Sequence, residues 1–187
     1  MSRNRVIGVD GKIPWDLPED RKAFTALTRD KIIIIGRRTF EEQPNQSHIA
    51  HAHSCIIVSE TLPDNFFEAS NRLRLARSFP EALAMADELI DRSGASSSAD
   101  EDEKNVDCWV AGGEQIYKEA LMHPSARLVH LTIVDTEIDL VAGQVARFPA
   151  KYRWDNKFVK AETKDSSQDS DRHGFTRYVY RRPKLQR

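Results

Sequence analysis

Short runs of apolar, β-branched residues alternate along this chain with amphipathic segments of helical spacing. The run KIIIIG at 31–36 has the composition of a strand that is buried on both faces of a sheet. Strands separated by helices predict an α/β fold with a largely parallel central sheet and flanking helices. The apolar runs lie at 31–36, 54–59, 106–112 and 127–138, and the amphipathic segments at 19–28, 80–91 and 114–122.

The last part of the chain has a different pattern. Residues 157–163 and 174–182 alternate apolar and polar side chains, which predicts an antiparallel hairpin at the sheet edge. Residues 93–105 are mostly serine and charged residues with no large apolar side chain, so we expect a flexible loop there. We see no repeat and no boundary, and we predict a single domain over 1–187.

Charge and cysteine content exclude several classes of protein. The 28 Lys and Arg residues balance 29 Asp and Glu residues, which gives no general reason to expect nucleic acid or a membrane as partner. Cys55 and Cys108 lie in apolar runs and are predicted to be buried thiols in a reducing compartment. No apolar stretch approaches the roughly 20 residues of a membrane span, and no signal-peptide core is present. We therefore expect a soluble, cytoplasmic protein.

The six histidines show no spacing typical of metal ligands, so no metal site is predicted. His48, His51 and His53 cluster without cysteine or carboxylate partners at strong spacings. We interpret them as part of a surface loop.

The segment VIGVDGKIPWDLPEDRKAF at 6–24 contains the first candidate functional residues. Gly8 and Gly11 permit a tight, mobile loop, and Pro18 and the carboxylates after it suit the first turn of a helix. Asp20 could simply complement the helix dipole. It also precedes an apolar, aromatic face at helical spacing, which would exclude water from its carboxylate and suit a functional acid.

Two apolar runs end in glycine immediately before a predicted helix. In IIIIGRRTFEE, Gly36 is followed by Arg37 and Arg38 and by Thr39, which we expect to cap the helix. In WVAGGEQIYKEAL, Gly112 and Gly113 would let a ligand approach the main chain. Helix starts after parallel strands favour phosphate, and arginine forks suit it. Two such turns favour a dinucleotide, although the complete three-glycine Rossmann spacing is absent.

These segments, in this order, resemble the dihydrofolate reductase family from Asn4 to Arg182. The stretch Pro-Trp-x-Leu-Pro-x-Asp-x-x-x-Phe is the most distinctive part, and IIGRRTFE, VAGGEQIY and LTIVDTE follow it. The resemblance implies a dihydrofolate reductase-like α/β fold and NADPH-dependent reduction of 7,8-dihydrofolate to 5,6,7,8-tetrahydrofolate. It also implies binding of antifolates such as methotrexate, and a monomer.

The resemblance further assigns roles to matching positions. Asp20 would hydrogen-bond the pterin and assist its protonation, Trp15 would hold an ordered water, and Thr132 would bind the carboxylate. The other residues implied to contact substrate are Arg21, Phe24, His53, Ala111 and Tyr117. Those implied to contact the cofactor are Ile7, Gly8, Lys12, Ile13, Gly36, Arg37, Arg38, Thr39, Ser59, Arg77, Gly112, Gly113, Glu114, Gln115 and Ile116.

The chain departs from the family pattern at four places. The usual strand before the NRVIG segment is missing, so we expect that the sequence is truncated at its start. Arg21 stands where an apolar residue is usual, and a cation there would favour the ionised form of Asp20. The arginine for the folate glutamate is absent, with His53 nearest, and GQVAR replaces the acidic residue before Phe148. Two alternatives stay open: a same-fold reductase of the riboflavin-pathway type, and a non-catalytic NADPH-binding paralogue.

Overall fold

The computed structural model describes residues 1–42, 46–93, 107–139, 143–150, 154–165 and 173–183. By their contacts they form two compact units, Met1–Arg21 with Tyr117–Arg187, and Lys22–Ile116. We call the first the acid unit, because it contains Asp20, and the second the parallel-sheet unit. The prediction of a single domain stays a prediction. The elements, in chain order, are β1 (Val6–Val9), α1 (Pro18–Thr28), β2 (Ile32–Gly36), α2 (Arg37–Glu41), β3 (Ser54–Val58), β4 (Leu73–Ala76), α3 (Phe79–Ser93), β5 (Cys108–Val110), α4 (Glu114–Met122), β6 (Leu128–Val134), β7 (Val145–Arg147), β8 (Val159–Asp165) and β9 (Phe175–Arg181).

The parallel-sheet unit contains a four-stranded sheet in the order β4–β3–β2–β5, with every neighbouring pair parallel. The isoleucines of β2 are almost completely buried, as expected for a strand covered on both faces. Helix α3 packs on β3 and β4, and α2 packs on β2 and β3. The predicted parallel sheet and the buried strands β2 and β3 are therefore confirmed, whereas the three residues of β5 are only partly buried.

The acid unit is built on antiparallel pairing. Strands β6, β9 and β8 form a three-stranded sheet in that order, and β1 pairs separately with β7. The predicted hairpin is confirmed as β8 and β9. The run at 127–138, which we expected in the parallel sheet, instead supplies β6 to this antiparallel sheet. One face packs on an aromatic cluster of Leu121, Leu131, Phe148, Trp154, Phe158 and Tyr180.

The first residues of the chain run beside β6. Ser2 forms a parallel bridge with Val134, whose backbone N–H donates to the Met1 carbonyl at 2.9 Å. The chain then enters β1, which includes Ile7 and Gly8, so the prediction of a mobile loop is wrong at Gly8. A tight turn follows, in which Val9 and Lys12 exchange backbone hydrogen bonds and Gly11 has a φ of 74°.

Several smaller predictions can be compared with the structure. Both cysteines are free thiols, and burial raises the pKa of each to about 12. No helix in the described ranges is long and apolar enough to cross a bilayer. The predicted loop at 93–105 lies outside the described residues except for Ser93, the last residue of α3.

Candidate active site

Asp20 lies in the first turn of α1, where a carboxylate is stabilised by the exposed backbone N–H groups of the helix start. Its Oδ1 accepts a hydrogen bond of 2.6 Å from the Thr132 hydroxyl. The same oxygen lies 3.5 Å from Nε of Arg177. The Asp20 side chain keeps about a third of its surface exposed, at 36%. The acid is therefore fixed in place yet open to a ligand.

The sheet explains why Thr132 and Arg177 reach one carboxylate. Thr132 on β6 and Arg177 on β9 are direct partners in the antiparallel ladder. Side chains of opposed residues project from the same face of a sheet, close together. That face is opposite the one that packs on the aromatic cluster through Leu131 and Tyr180. On the face toward Asp20, Thr132 and Arg177 are the polar pair between the buried apolar side chains of Val134, Phe175 and Val179.

Trp15 and Phe175 belong to one apolar cluster of the acid unit. Trp15 is half-buried against Leu17, Val134 and Phe175. The Arg177 guanidinium lies 4.9 Å from the centre of the Phe175 ring, within the range of a cation–π contact. Phe175 therefore links this cluster to the arginine that pairs with Asp20. The apolar surroundings predicted for Asp20 stay a prediction.

Arg21 does not provide the cation expected from the sequence. Its guanidinium pairs with Asp16, and its side chain is 63% exposed. Successive helical residues do not face the same side, so a residue next to Asp20 on α1 points away from it. The expectation that Arg21 stabilises the Asp20 carboxylate is wrong, because Arg177 on β9 occupies that place.

The Met1 α-ammonium also belongs to the surroundings of Asp20. It donates to the Thr132 carbonyl at 2.6 Å. Burial lowers the pKa of this amine to about 6, and attraction to Asp20 partly opposes the shift. The acid is therefore bordered by the Arg177 guanidinium and by an amine that titrates near pH 6.

In the parallel-sheet unit, the two glycine turns lie side by side. Strands β2 and β5 are parallel neighbours, so their carboxyl ends meet at one edge. The Gly36 backbone N–H donates to the Gly112 carbonyl at 2.8 Å, and the Gly112–Gly113 peptide is cis. A Cβ on Gly113 would lie 3.2 Å from Thr39 Oγ1. Both predicted strand–glycine–helix turns are present, and the structure places them next to each other.

The start of α2 suits an anion. Gly36 is the N-cap of α2, with no side chain to cap the helix, so backbone donors of the first turn remain for a ligand. Thr39 lies inside α2, and its predicted role as the cap is wrong. Arg38 is exposed, while Arg37 lies 3.2 Å from Glu41.

At the start of α4, the side chain of Glu114 is an anion and would repel a phosphate. Glu114 and its neighbour Gln115 suit such a ligand through their backbone N–H groups.

Ser59 and Arg77 lie together at the ends of β3 and β4. Nη1 of Arg77 donates to the carbonyls of Ser59 at 2.9 Å and Leu62 at 2.6 Å, and Nη2 pairs with Asp64. The Ser59 hydroxyl accepts from the backbone N–H groups of Thr61 and Leu62. Both side chains therefore hold the loop after β3, and any contact with a cofactor phosphate would add to that role.

The family model for dihydrofolate reductase matches residues 1–182. The chain belongs to the dihydrofolate reductase family. Dihydrofolate reductase HdrB of Haloferax volcanii is 30% identical over 185 residues, covering 97% of this chain and 80% of that protein. Dihydrofolate reductase of Buchnera aphidicola is 35% identical over 171 residues, covering 88% and 86%.

A solved structure has the same fold. It is dihydrofolate reductase from Enterococcus faecalis complexed with NADP(H) and RAB-propyl, with a TM-score of 0.72 and 20% sequence identity. The match covers 98% of this chain and 93% of that chain. The predicted dihydrofolate reductase-like fold is confirmed.

The remaining predicted substrate residues lie in different parts of the family's fold. Phe24 and Ala111 pack on the core of the parallel-sheet unit, and His53 is exposed there. Tyr117 packs in the acid unit, 5.2 Å from the Phe148 ring. Their contacts with substrate stay predictions.

Sequence analysis missed two functional or structural residues. Arg177 was not predicted near Asp20, because strand register cannot be read from a short alternating segment. His51 was interpreted as a surface-loop residue. It is half-buried, its Nε2 lies 2.6 Å from the Thr28 hydroxyl, and its ring meets Phe24 edge-on.

Proposed function

We propose that this chain is a dihydrofolate reductase that uses NADPH to convert 7,8-dihydrofolate to 5,6,7,8-tetrahydrofolate. The observation that carries the proposal is the Asp20 carboxylate, bonded to Thr132 at the start of α1 in a chain that belongs to this family. Relatives at 30% and 35% identity bear the name of this activity.

Asp20 would bind the pterin through its carboxylate oxygens. An ionised carboxylate has about four acceptor positions, and the Thr132 hydroxyl uses one of them. The others suit the amino group and the ring N–H of the pterin. In the reaction, a C=N bond of the ring takes a hydride at carbon and a proton at nitrogen. Asp20 would assist the proton transfer through a water beside Trp15.

The parallel-sheet unit fits a dinucleotide cofactor. NADPH, when bound, supplies the hydride. Gly36, Gly112 and Gly113 would let its phosphates approach the main chain, and a Cβ at Gly36 or at Gly113 would meet Ile116 or Thr39, respectively. Arg37 and Arg38, with Ser59 and Arg77, would bind the 2′-phosphate and favour NADPH over NADH.

The direct test is the loss of absorbance at 340 nm when the full chain is mixed with NADPH and 7,8-dihydrofolate. We expect turnover that is slower with NADH and is blocked by methotrexate. Turnover of a riboflavin-pathway pyrimidine with none of dihydrofolate would indicate the same-fold alternative. NADPH binding, measured calorimetrically, without turnover of either substrate would indicate a non-catalytic paralogue.

We further propose that the enzyme is a cytoplasmic monomer. The two free cysteines suit a reducing compartment. The described chain exposes a few large apolar side chains, such as Phe66 in a loop and Met122 at the end of α4. They belong to different segments, and single exposed apolar residues do not indicate an interface. Light scattering after gel filtration tests the monomer, and fractionation of cells that express the chain tests its location.

A further inference from the structure

We propose that Arg177 is a positioning residue that holds the Asp20 carboxylate against the β6–β9 pair. The proposal rests on the reductase function proposed above and adds to it a residue that acts through Asp20. The motif that carries the family resemblance gave no indication of it.

Three contacts place Arg177 in this role. Its Nε lies 3.5 Å from Asp20 Oδ1, and its guanidinium lies over the Phe175 ring at 4.9 Å. It is also the direct cross-strand partner of Thr132, which donates to the same carboxylate oxygen. The cross-strand pair of Thr132 and Arg177 therefore places a hydroxyl and a cation beside the Asp20 carboxylate.

Partial burial strengthens the ion pair between Arg177 and Asp20. The Arg177 side chain is 28% exposed, and its Nε and Nη2 form no hydrogen bond within the described part of the chain. Among the described residues, its ion pair is with Asp20. Partial loss of solvent strengthens the attraction between the two charges. The pair should therefore hold the carboxylate in a position where it can accept hydrogen bonds from a pterin.

Other charged groups near Asp20 are less suited to this role. Arg21 is bound to Asp16, and Glu19 is an exposed neighbour on α1. His130 lies two residues before Thr132, on the same face of β6. The Met1 amine titrates near pH 6, so its charge is lost in the neutral range, whereas an arginine keeps its charge. Arg177 therefore supplies the constant positive charge at the site.

The test compares the kinetics of Arg177→Met and Arg177→Lys with those of the wild type. An interaction with a charged group contributes about 1.5–3 kcal/mol, and partial exposure favours the low end. We expect Arg177→Met to lose about tenfold in kcat/KM for dihydrofolate while its KM for NADPH stays unchanged. Arg177→Lys, which keeps the charge, should restore most of the loss.

Arg181→Met is the matched control. Arg181 is on the same strand and face as Arg177, roughly 13 Å further along at about 3.3 Å per residue. That separation exceeds the screening length of about 8 Å at physiological salt. Its kcat/KM for dihydrofolate should equal that of the wild type.

A second readout separates this proposal from the proposed function. The ¹³C resonance of the Asp20 carboxyl, assigned with Asp20→Asn, reports the surroundings of the carboxylate in protein that has no turnover. We expect its chemical shift at neutral pH to differ between wild type and Arg177→Met and to return toward the wild-type value in Arg177→Lys. Coincident chemical shifts in folded wild type and Arg177→Met would overturn the role of Arg177. So would an equal loss of kcat/KM in Arg177→Met and Arg177→Lys, because that is the effect of altered packing.

Discussion

Gly36 and Gly112 are joined by a hydrogen bond of 2.8 Å from the backbone N–H of one to the carbonyl of the other. It connects the end of β2 to the turn after β5, so the two predicted phosphate turns form one continuous main-chain surface. A side chain at either turn should disturb both the surface and the cofactor on it.

Gly113→Ala should weaken NADPH binding about tenfold or more. The added methyl group would lie 3.2 Å from Thr39 Oγ1, which is closer than most real Cβ contacts, and would occupy space needed by a phosphate. Calorimetric titration with NADPH measures the effect. If strain against Thr39 causes part of the loss, the double variant Gly113→Ala, Thr39→Ala should recover that part. Unchanged affinity in Gly113→Ala would remove this turn from the cofactor site.

Thr132→Val should lower kcat/KM about tenfold to a hundredfold. The substitution keeps the shape of the side chain and removes the hydroxyl that donates to Asp20 at 2.6 Å. Hydrogen bonds to charged groups contribute about 1.5–3 kcal/mol. Thr132→Ser, which keeps the donor, is the control and should stay within a few-fold of the wild type. Equal rates for Val and Ser would show that the hydroxyl has no part in the reaction.

Arg38→Ala should reduce the preference for NADPH over NADH about tenfold or more, with the NADH reaction almost unchanged. Arg38 is exposed at the start of α2, and a charge-assisted contact with the 2′-phosphate is worth about 1.5–3 kcal/mol. Arg37→Ala should have a smaller effect, because Arg37 is partly neutralised by Glu41. Arg92→Ala on α3 controls for a general loss of positive charge. An equal loss with both cofactors would mean that Arg38 does not contact the 2′-phosphate.

The stability of the protein should fall as the pH drops through about 6.5, partly because of His51. Burial, followed by repulsion from Arg29 and Arg72, lowers the pKa of His51 from the ordinary value of 6.5. The unfolded chain then binds more protons than the native state near pH 6, so acid favours unfolding. The stabilising contribution is present above pH 6.5 and is lost below it.

Urea unfolding of wild type and His51→Gln at several values between about pH 5 and pH 7.5 measures this dependence. Glutamine can donate to the Thr28 hydroxyl, as the Nε2–H of His51 does, because that hydroxyl donates its own proton to the Phe24 carbonyl at 2.6 Å. The variant should lose less stability on acidification than the wild type. A residual loss should remain, since burial also lowers the pKa of His48. His53→Gln, at an exposed position, should follow the wild type. Parallel curves for wild type and His51→Gln would contradict the account.

The features predicted well from the sequence are those set by local composition. The isoleucines of β2 could be assigned to a buried strand because no polar residue interrupts them. The bounds of α4 were predicted correctly, because glycines precede an amphipathic segment there. Adjacent glycine turns follow from the parallel pairing of β2 and β5.

The features that were missed depend on pairing between distant segments. On β9, Phe175, Arg177 and Val179 share one face and Thr176, Tyr178 and Tyr180 share the other, so the sequence does not say which face is covered. Arg177 is the partner of Thr132 because of the register between β6 and β9. A shift of one residue would place Arg177 on the opposite face of the sheet. Strands β1 and β7 are short, at 4 and 3 residues, and have no pattern strong enough to identify them.

The central claim is that Asp20 is the acid of a reductase, and the most direct test compares Asp20→Asn with Asp16→Asn. The two aspartates lie close together in the chain, but Asp16 is exposed and pairs with Arg21, whereas Asp20 is held by Thr132. With NADPH and dihydrofolate at neutral pH, Asp20→Asn should lose at least about a hundredfold in kcat while it keeps its affinity for NADPH. Asp16→Asn should retain the wild-type rate. Full turnover by Asp20→Asn, or an equal loss in both variants, would contradict the claim.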